Sequence, residues 1–348
     1  MKILIIKMSA IGDVIHTLPA LNAIRSHFPK AHITWLVEEA AFDIILGHRG
    51  LDRVLLSKRK KWVKQLFSLS FFQGAKKIYR FIKELRKTNY DIIIDFQGLF
   101  KSAIMLALAR GEKKIGFDKG MEHAEYSHIF YNYRIPAVSM EIHALKRGLI
   151  LLESLGIFCK KIEYNLAIGG KNRINLEKLL KSKGLEQDRM IICINPEATW
   201  ETKLWSNKKF GELADRLFEK FNANIIYTGS KSDIKSILEI ISFMENPCIN
   251  LAGLTTLKTL AALYEKTDVL ITTDTGPMHL GVASATKVLG IFGSTSSLRT
   301  GPYGENHKVV KADILCSPCF KKRCHTKECM EMISVDHVMG TVDKLMMG

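Results

Sequence analysis

The stretch VLITTDTGPMHLGVA, residues 269–283, has the pattern of a buried strand, a tight turn and a new helix. A helix that begins near Gly276 directs free backbone N–H groups and the positive end of its dipole at the turn. Such a turn binds anions, most often phosphate. Asp274 and His279 add a carboxylate and an imidazole, which phosphate binding alone does not require. An Asp that caps the helix and a buried His are the structural alternative.

Strand-like and helix-like segments alternate on both sides of this stretch. The predicted strands are 2–7, 32–37, 91–95, 190–194, 224–228, 269–271 and 288–292, and the predicted helices are 13–28, 99–109, 141–155, 207–221 and 233–243. Alternation of this kind predicts parallel sheets with helices on both faces. The pattern restarts after Gly169 and Gly170, which predicts two doubly wound α/β domains, 1–170 and 171–333. Ligands are then expected at the carboxyl ends of the strands, in a cleft between the domains.

The net charge of +16 is concentrated in the first half of the chain. Residues 1–170 carry 27 Lys and Arg against 15 Asp and Glu, and the segment 53–87 alone has 12 basic residues and one acidic residue. A basic patch of this density indicates an anionic partner, with a solvated basic face as the alternative. Nucleic acid fits less well, because no recognised nucleic-acid module is visible.

The first strand leads into a small-residue turn that ends at Gly12 and Asp13. Gly12 allows a tight connection from strand to helix, and Asp13 is either a general base or only a cap of the helix. The turn is not GxGxxG, and no acidic residue at the expected distance completes a dinucleotide fingerprint. A dehydrogenase is therefore a weak interpretation.

Two further loops follow strands in the second half. Thr199 and Lys203 place a hydroxyl and an ammonium before a helix, which suits a diphosphate without a metal, although an exposed loop lysine is an equal alternative. Asp233 follows the strand that ends near Thr228, and it either contacts ribose hydroxyls or caps the next helix.

The cysteines point to the redox environment and to one metal-binding hypothesis. Seven Cys, an odd number, suit a reducing cytoplasm better than a disulfide scaffold. The start of the chain is too short in apolar residues for a secretory signal, and no run reaches the roughly 18 residues of a membrane span. Four of the cysteines fall within fourteen residues: Cys316, Cys319, Cys324 and Cys329. This density predicts a structural zinc or iron site, and free thiols or a reversible disulfide are the alternatives.

Taken together, these motifs resemble the bacterial lipopolysaccharide heptosyltransferases, and the heptosyltransferase I branch most closely. The resemblance covers nearly the whole chain and is carried by KMSAIGDVIHTLPAL at 7–21, VEEAAF at 37–42, YDIIIDFQGLFKSA at 90–103, the Thr199/Lys203 loop and DTGPMHL at 274–280. It implies a GT-B fold of two Rossmann-like domains facing a central cleft. It also implies that the last segment, 334–348, is a helix that returns to the N-terminal domain.

The resemblance implies an inverting, metal-independent transfer of L-glycero-D-manno-heptose from ADP-heptose to a Kdo sugar of the lipid A inner core. Asp13 corresponds to the base that deprotonates the acceptor hydroxyl. Lys203, with Thr199, corresponds to the ligand of the donor diphosphate and assists catalysis. Displacement of ADP needs a base on one face of the sugar and charge stabilisation on the other, and these residues supply both.

The remaining donor residues are carried over in the same way. Asp274, Thr275 and Gly276 correspond to the turn that holds the donor heptose and phosphates, with His279 beside them. Asp233 falls where an acidic residue contacts the adenosine ribose. No cofactor is implied for catalysis.

Lys60, Lys61 and Lys64 fall in the basic loop 58–64, which the resemblance assigns to the anionic Kdo-lipid A acceptor. The expected location is cytoplasmic, on the anionic inner leaflet of the inner membrane. Heptosyltransferase II or a protein heptosyltransferase is the alternative within the superfamily. From other classes, a GT-B nucleotide-sugar epimerase would not need the basic loop, and a non-enzymatic membrane-binding protein would not need the strand-end motifs.

Overall fold

The computed structural model describes residues 1–68, 70–122 and 125–347. The chain divides into two compact units, Met1–Ala167 and Ile168–Gly348, so the division lies close to the predicted one at residue 170. No helix in these ranges is long and apolar enough to cross a membrane.

The first unit is a six-stranded parallel sheet with the order β3-β2-β1-β4-β5-β6. Its strands are β1 Lys2–Ile6, β2 His32–Glu38, β3 Arg53–Ser57, β4 Asn89–Asp95, β5 Arg110–Phe117 and β6 Tyr133–Ile135. Its helices are α1 Ile11–His27, α2 Glu39–Ile45, α3 Arg59–Leu66, α4 Phe71–Leu85, α5 Phe100–Leu108 and α6 Ala144–Glu153. Ile3 to Ile6 are fully buried, as expected for a central parallel strand covered on both faces.

The second unit repeats this arrangement with the order β12-β11-β10-β7-β8-β9. Its strands are β7 Ile191–Asn195, β8 Asn224–Tyr227, β9 Ile249–Asn250, β10 Val269–Thr273, β11 Lys287–Phe292 and β12 Lys308–Lys311. Its helices are α7 Gly170–Ser182, α8 Asn207–Phe221, α9 Ile234–Ile241, α10 Leu257–Tyr264, α11 Gly276–Ala283, α12 Ser297–Thr300, α13 Glu328–Glu331 and α14 Val335–Met347.

Numbered within its own unit, each sheet has the strand order 3-2-1-4-5-6 of a Rossmann fold. The order reverses between β1 and β4 in the first unit and between β7 and β10 in the second. Ligands of doubly wound sheets bind at this reversal, outside the carboxyl ends of the two strands. The loops that follow these four strands are therefore where each unit is expected to bind a ligand.

The last helix, α14, packs within the second unit. The structure groups α14 with the second unit, where it packs on α8, β11 and β12. Its apolar side is part of the second unit's core, through Val335, Val338, Met339, Val342 and Leu345. Lys220 Nζ on α8 donates to Asp343 Oδ1 at 2.6 Å. The apolar stripe of α14 is therefore buried in the second unit, and a return of 334–348 to the first domain stays a prediction.

The basic segment differs from its sequence-based prediction, since the expected loop 58–64 is mostly helical. The segment 58–64 falls mostly within α3, which packs against α4. Gly74 of α4 permits the close approach, since a Cβ at this position would lie 3.1 Å from Gln65 Cβ and 3.2 Å from Trp62 O. Trp62 then packs against Phe81, with ring centroids 5.0 Å apart.

Candidate functional site

The loops after β7 and β10 meet through a buried ion pair. Lys203 lies in a short 3₁₀ turn, Glu201–Lys203, and its Nζ donates to Asp274 Oδ2 at 2.6 Å and to Asp274 O at 3.3 Å. Asp274 Oδ2 also accepts a hydrogen bond from Thr295 Oγ1 at 2.7 Å. The side chains are only 15% and 6% exposed. Two of the three ammonium protons are used in this pair, so one remains for a ligand.

Helix α11 begins at Gly276, as predicted, with Thr275 as its N-cap residue. The Thr275 side chain makes no cap hydrogen bond, and Pro277 occupies the first turn. The first amides of α11 therefore face the end of β10 beside the Lys203–Asp274 pair, where an anion is stabilised. His279 is buried within the same helix.

An aromatic ring lies against the ammonium group of this pair. Lys203 Nζ lies 4.6 Å from the centroid of the Trp200 ring, and Lys322 Nζ lies 5.5 Å from the same ring. Thr199, just before Trp200, is exposed. The structure thus places Thr199, Trp200 and Lys203 together at the carboxyl end of β7.

Asp233 closes the 3₁₀ turn Lys231–Asp233 that precedes α9, and its side chain makes no cap hydrogen bond to α9 itself. Its Oδ2 accepts from the Ser230 backbone N–H at 2.6 Å, and its Oδ1 accepts from Ser232 Oγ at 3.2 Å. Burial raises the pKa of nearby Glu197, and the negative charge of Asp233 adds to the rise. The loops after β7 and β8 therefore contain two acidic groups close to one another.

In the first unit, Asp13 is the third residue of α1 and faces the end of β1. Its Oδ2 accepts from the Ala10 backbone N–H at 3.0 Å, which closes the first turn of the helix. No hydrogen bond to Oδ1 is found within 1–68, 70–122 and 125–347. Asp13 therefore caps the helix and keeps one carboxylate oxygen available to accept a proton.

The loop that holds Asp13 is tied to the loop after β4 by Gln97. Gln97 Oε1 accepts from the Met8 and Ser9 backbone N–H groups, both at 3.1 Å. The Gln97 backbone is held in turn by Asp95, whose Oδ1 accepts from Gln97 N at 2.9 Å. This chain of hydrogen bonds crosses the reversal between β1 and β4.

Asp95 is the buried centre of this loop. Besides Gln97, it accepts from Gly98 N at 3.1 Å, Ser102 Oγ at 2.8 Å and Tyr131 Oη at 2.8 Å. Burial raises the pKa of Asp95, and these hydrogen bonds oppose the rise. These four hydrogen bonds to Asp95 hold the loop after β4 in one conformation.

A cavity of about 230 Å³ opens at this edge of the first sheet. This is below the roughly 300–1,000 Å³ of pockets for drug-sized ligands, so it suits one part of a larger ligand, such as a single sugar residue. It is lined by both acidic and basic groups, among them Lys7, Asp13, Asp95, Glu122 and Arg147.

Lys101 on α5 connects this cavity with the basic segment. Its Nζ donates to Ser9 Oγ at 2.6 Å. Burial lowers the pKa of Lys101, an effect that Glu38 and Asp13 oppose and that Arg59 and Lys60 reinforce. Arg59 and Lys60 are therefore close enough to Lys101 to lower its pKa further.

The three predicted acceptor lysines differ in their surroundings. Lys60, Lys61 and Lys64 are all exposed on α3, and Lys61 Nζ pairs with Glu39 Oε1 at 3.0 Å. Lys58 Nζ lies 3.6 Å from the same oxygen. The side chain that turns inward is Arg59, whose Nε lies 3.3 Å from the buried Glu38 Oε1. Lys60 and Lys64 make no ion pair with any residue that the structure describes.

The cysteine segment does not support the predicted metal site. Among the described residues, no three His, Cys, Asp or Glu side chains are grouped to bind a metal ion. Cys329 is buried in the second unit's core, whereas Cys316 is exposed and Cys319 is fixed at the end of β11 by its N–H, which donates to Ser294 O at 3.1 Å. Cys324 is partly exposed. The zinc or iron site therefore stays a prediction. Burial raises the pKa of Cys329, and the thiols of Cys316, Cys319 and Cys324 are near enough to raise it further.

Gln97 gives the first prediction. Gln97→Leu removes the acceptor of the Met8 and Ser9 amides, which costs about 1–3 kcal/mol when such groups lose their partner. We expect kcat to fall about tenfold, because the loop that carries Asp13 loosens, with the KM of the donor unchanged. Gln97→Glu keeps an acceptor oxygen and should restore kcat. A Gln97→Leu enzyme with normal kcat would show that the loop is held by other contacts.

Comparison with known proteins identifies the family. The sequence profile described as glycosyltransferase family 9 (heptosyltransferase) matches residues 78–330. The chain is 30% identical to lipopolysaccharide heptosyltransferase 1 of Pseudomonas aeruginosa, over 93% of this chain and 87% of that protein. It is 27% identical to lipooligosaccharide heptosyltransferase 2 of Campylobacter jejuni, over 99% of both. The chain belongs to glycosyltransferase family 9, the heptosyltransferases.

The solved structures agree with this assignment. The E. coli heptosyltransferase WaaC with ADP-2-deoxy-2-fluoro heptose superposes with a TM-score of 0.75 at 25% identity, over 99% of both chains. The fold of this heptosyltransferase is therefore GT-B, as the sequence predicts, and the protein is a glycosyltransferase of lipopolysaccharide core biosynthesis. The epimerase and the non-enzymatic binding protein are set aside.

Several side chains at the two sites were not singled out in the sequence. Gln97 and Lys101 belong to the quoted IDFQGLFKSA block, and their position after a strand was the available signal. Thr295, which supports Asp274, lies after β11 and carries no recognisable motif. Nothing in the sequence distinguishes Arg59 from the lysines around it in the segment 58–64.

Proposed function

We propose that this heptosyltransferase transfers L-glycero-D-manno-heptose from ADP-heptose to a Kdo sugar of the lipopolysaccharide inner core, with inversion at the anomeric carbon. The observation that carries the proposal is the position of Asp13 and Lys203, each at the strand-order reversal of its own unit. A relative named heptosyltransferase 1 and a solved structure that contains a fluorinated ADP-heptose support the choice of substrates.

The first unit supplies the acceptor chemistry in this proposal. Asp13 Oδ1 takes the proton from the acceptor hydroxyl as the oxygen forms its bond to the anomeric carbon. Gln97 and the Asp95 network keep the loop in place while this occurs. The Kdo-lipid A acceptor is anionic, which suits Lys101 and the exposed Lys60, Lys61 and Lys64.

The second unit supplies the donor chemistry. The bond between the anomeric carbon and the diphosphate oxygen breaks, and its electron pair leaves with ADP. Lys203 and the first amides of α11 stabilise the charge that develops on this oxygen. Asp274 positions Lys203, while Thr199, Thr275, Gly276 and His279 contact the donor heptose and phosphates. Asp233 contacts the ribose hydroxyls with the lone pairs that its capping bonds leave over.

The proposed mechanism needs no metal ion, since Lys203 and the helix amides carry the charge stabilisation. Activity should therefore persist at full rate in an excess of a chelator such as EDTA. A loss of activity that Mg²⁺ or Mn²⁺ restores would contradict this part of the mechanism.

Peripheral contact with the anionic inner leaflet of the inner membrane is part of the same proposal and gives a second prediction. Lys60→Glu with Lys64→Glu should raise the KM of the Kdo-lipid A acceptor by about tenfold or more, because each Lys near an anionic surface contributes roughly 1 kcal/mol. The KM of ADP-heptose should not change. These two positions are chosen because reversal of Lys58 or Lys61 would also place a second carboxylate next to that of Glu39.

The matched control reverses two exposed lysines of α7, Lys178→Glu with Lys181→Glu, for the same change in net charge. The acceptor KM of this control should stay close to that of the wild type. The difference between the pairs should also shrink at high salt, since screening acts over about 8–10 Å. Equal acceptor KM values for the two double variants would contradict the prediction and show that the lysines of α3 form only a solvated basic face.

Acceptor-dependent release of ADP tests the proposed function. Purified enzyme with ADP-heptose should release ADP rapidly when Kdo-lipid A is added and only slowly without it. Heptosyltransferase II activity is the second candidate, supported by the Campylobacter jejuni relative. It predicts that only an already heptosylated acceptor stimulates release. Release that no acceptor changes would contradict both candidates.

A further inference from the structure

A stripe of alternating aromatic and basic side chains lies on the exposed side of α4. Phe72, Lys76, Tyr79 and Lys83 have the spacing i, i+4, i+7 and i+11, which places them on one face of a helix. All four are exposed, and Phe72 and Tyr79 are 85% and 67% exposed. We define these four residues as the α4 stripe.

The α4 stripe is separate from the side of α4 that packs on the sheet. Leu85 is buried, and Phe81 packs against the first unit's core cluster and against Trp62. The requirements of folding are met by that other side, because the helix already has a buried apolar face. Phe72 and Tyr79 therefore add apolar surface to the exterior without a structural need for it.

Other exposed aromatic side chains extend this surface. Phe71, beside Phe72, is 50% exposed and its ring contacts the Phe72 ring edge-on at 5.6 Å. Phe67, at the end of α3, is 89% exposed. The surrounding segment 53–87 carries 12 basic residues and one acidic residue. The patch is thus apolar at its centre and cationic around it.

We propose that the α4 stripe is a membrane-docking surface that inserts Phe72 and Tyr79 into the interface of an anionic lipid bilayer. Lys76 and Lys83 then reach the lipid phosphates on either side of the rings. Amphipathic helices with aromatic residues among lysines bind membranes in this way, by burial of apolar area together with attraction to anionic lipids. A soluble protein partner is less favoured, because a surface of this charge would need an equally acidic counterpart.

This docking surface is distinct from the acceptor lysines of the proposed function. It holds the enzyme on bulk lipid, whichever sugar acceptor the site uses. Vesicles that contain no lipopolysaccharide precursor therefore test it independently. If the transfer reaction proved to be different, the vesicle result would still stand.

The test is co-sedimentation of the protein with vesicles of phosphatidylethanolamine and phosphatidylglycerol, with phosphatidylcholine vesicles as the neutral arm. The wild type should bind the anionic vesicles much more tightly than the neutral ones. Phe72→Ser with Tyr79→Ser should weaken binding about ten- to hundredfold, the effect of losing one to two inserted rings. Lys76→Gln with Lys83→Gln should weaken binding less and remove part of its salt dependence.

Phe158→Ser is the matched control, because Phe158 is 67% exposed and lies outside the α4 stripe in the same unit. It should bind vesicles as the wild type does. All variants replace exposed side chains, so their melting temperatures should match the wild type, which confirms that they fold. Turnover of a delipidated, water-soluble acceptor should also be unchanged.

Three results would overturn the proposal. The first is a wild type that does not bind anionic vesicles, and the second is a Phe72→Ser/Tyr79→Ser variant that binds as tightly as Phe158→Ser. The third concerns single-stranded nucleic acid, which aromatic and basic side chains also bind and which is tested in a separate assay. If the Phe72→Ser/Tyr79→Ser variant lost binding to such strands but kept its binding to vesicles, the proposal would be wrong.

Discussion

Asp13→Asn should lower kcat by about 10²–10⁴-fold, the usual contribution of a general base. The substitution is well suited to this test because it separates the two roles of Asp13, the cap of α1 and the proposed general base. The amide oxygen of Asn can still accept the Ala10 N–H, so the first turn of α1 should stay intact. What the variant loses is the ability to accept the acceptor's proton.

Steady-state kinetics with both substrates check this prediction. The KM of ADP-heptose should stay near the wild-type value, because the donor residues belong to the other unit. The melting temperature should change by little, since most of α1 is buried and its packing is untouched. Turnover close to that of the wild type would remove Asp13 from the mechanism and leave it only as a helix cap.

Lys203→Met should reduce kcat by about 10²-fold or more and also raise the KM of ADP-heptose. Removal of one charged donor from a developing oxyanion typically has an effect of this size on kcat. The effect should be larger in the transition state than in the ground state, because the diphosphate gains charge as the bond to the sugar breaks. Met keeps most of the apolar stem beside Trp200.

The same variant should lose stability as well. It leaves Asp274, only 6% exposed, without its cation, and breaking a buried pair on one side costs about 3–5 kcal/mol. Thr295 still donates to Asp274, so the loss should fall toward the lower end of this range. Thermal unfolding measures it, and kinetics are compared at a temperature where circular dichroism shows the variant folded.

Lys322→Ala is the matched control for Lys203, because both ammonium groups lie over the Trp200 ring. Lys322 is exposed and does not contact Asp274, so its removal should leave kcat near the wild-type value. If Lys203→Met changed only the KM of the acceptor, Lys203 would not be a ligand of the donor diphosphate.

The central elements of the fold follow closely from the sequence. The helix 207–221 is predicted with the bounds that α8 has, because its apolar residues recur at helical spacing. The strand–turn–helix at 269–283 is also as predicted, since three features agree there: an apolar run, a turn and Gly276. Central parallel strands are recognisable because both of their faces are buried.

The edge strands were missed for a physical reason. The segment KVVK of β12 and the charged RGEKKIGF of β5 carry few apolar residues, because strands near an edge bury less of their surface. They form by pairing with strands that are distant in sequence. The local sequence pattern does not indicate which distant strand this is. The helices α3 and α4 were missed because their many charges obscured the apolar side that packs.

The sequence suggests the candidate site residues one at a time, but it does not predict the contacts between them. Lys203 and Asp274 were each chosen because they follow a strand, yet their ion pair depends on the adjacency of β7 and β10 across 71 residues. The bond from Tyr131 to Asp95 spans 36 residues and involves no motif. Sequence spacing predicts which loops carry chemistry, and strand order decides which of them meet.

Product analysis by mass spectrometry tests the central claim most directly. The purified enzyme is given ADP-heptose with an equimolar mixture of Kdo-lipid A and its singly heptosylated derivative. The account predicts that Kdo-lipid A gains one heptose and ADP appears in equal amount, while the heptosylated acceptor is not extended at a comparable rate. Extension of the heptosylated acceptor alone, or ADP release with no heptose on either acceptor, would contradict it.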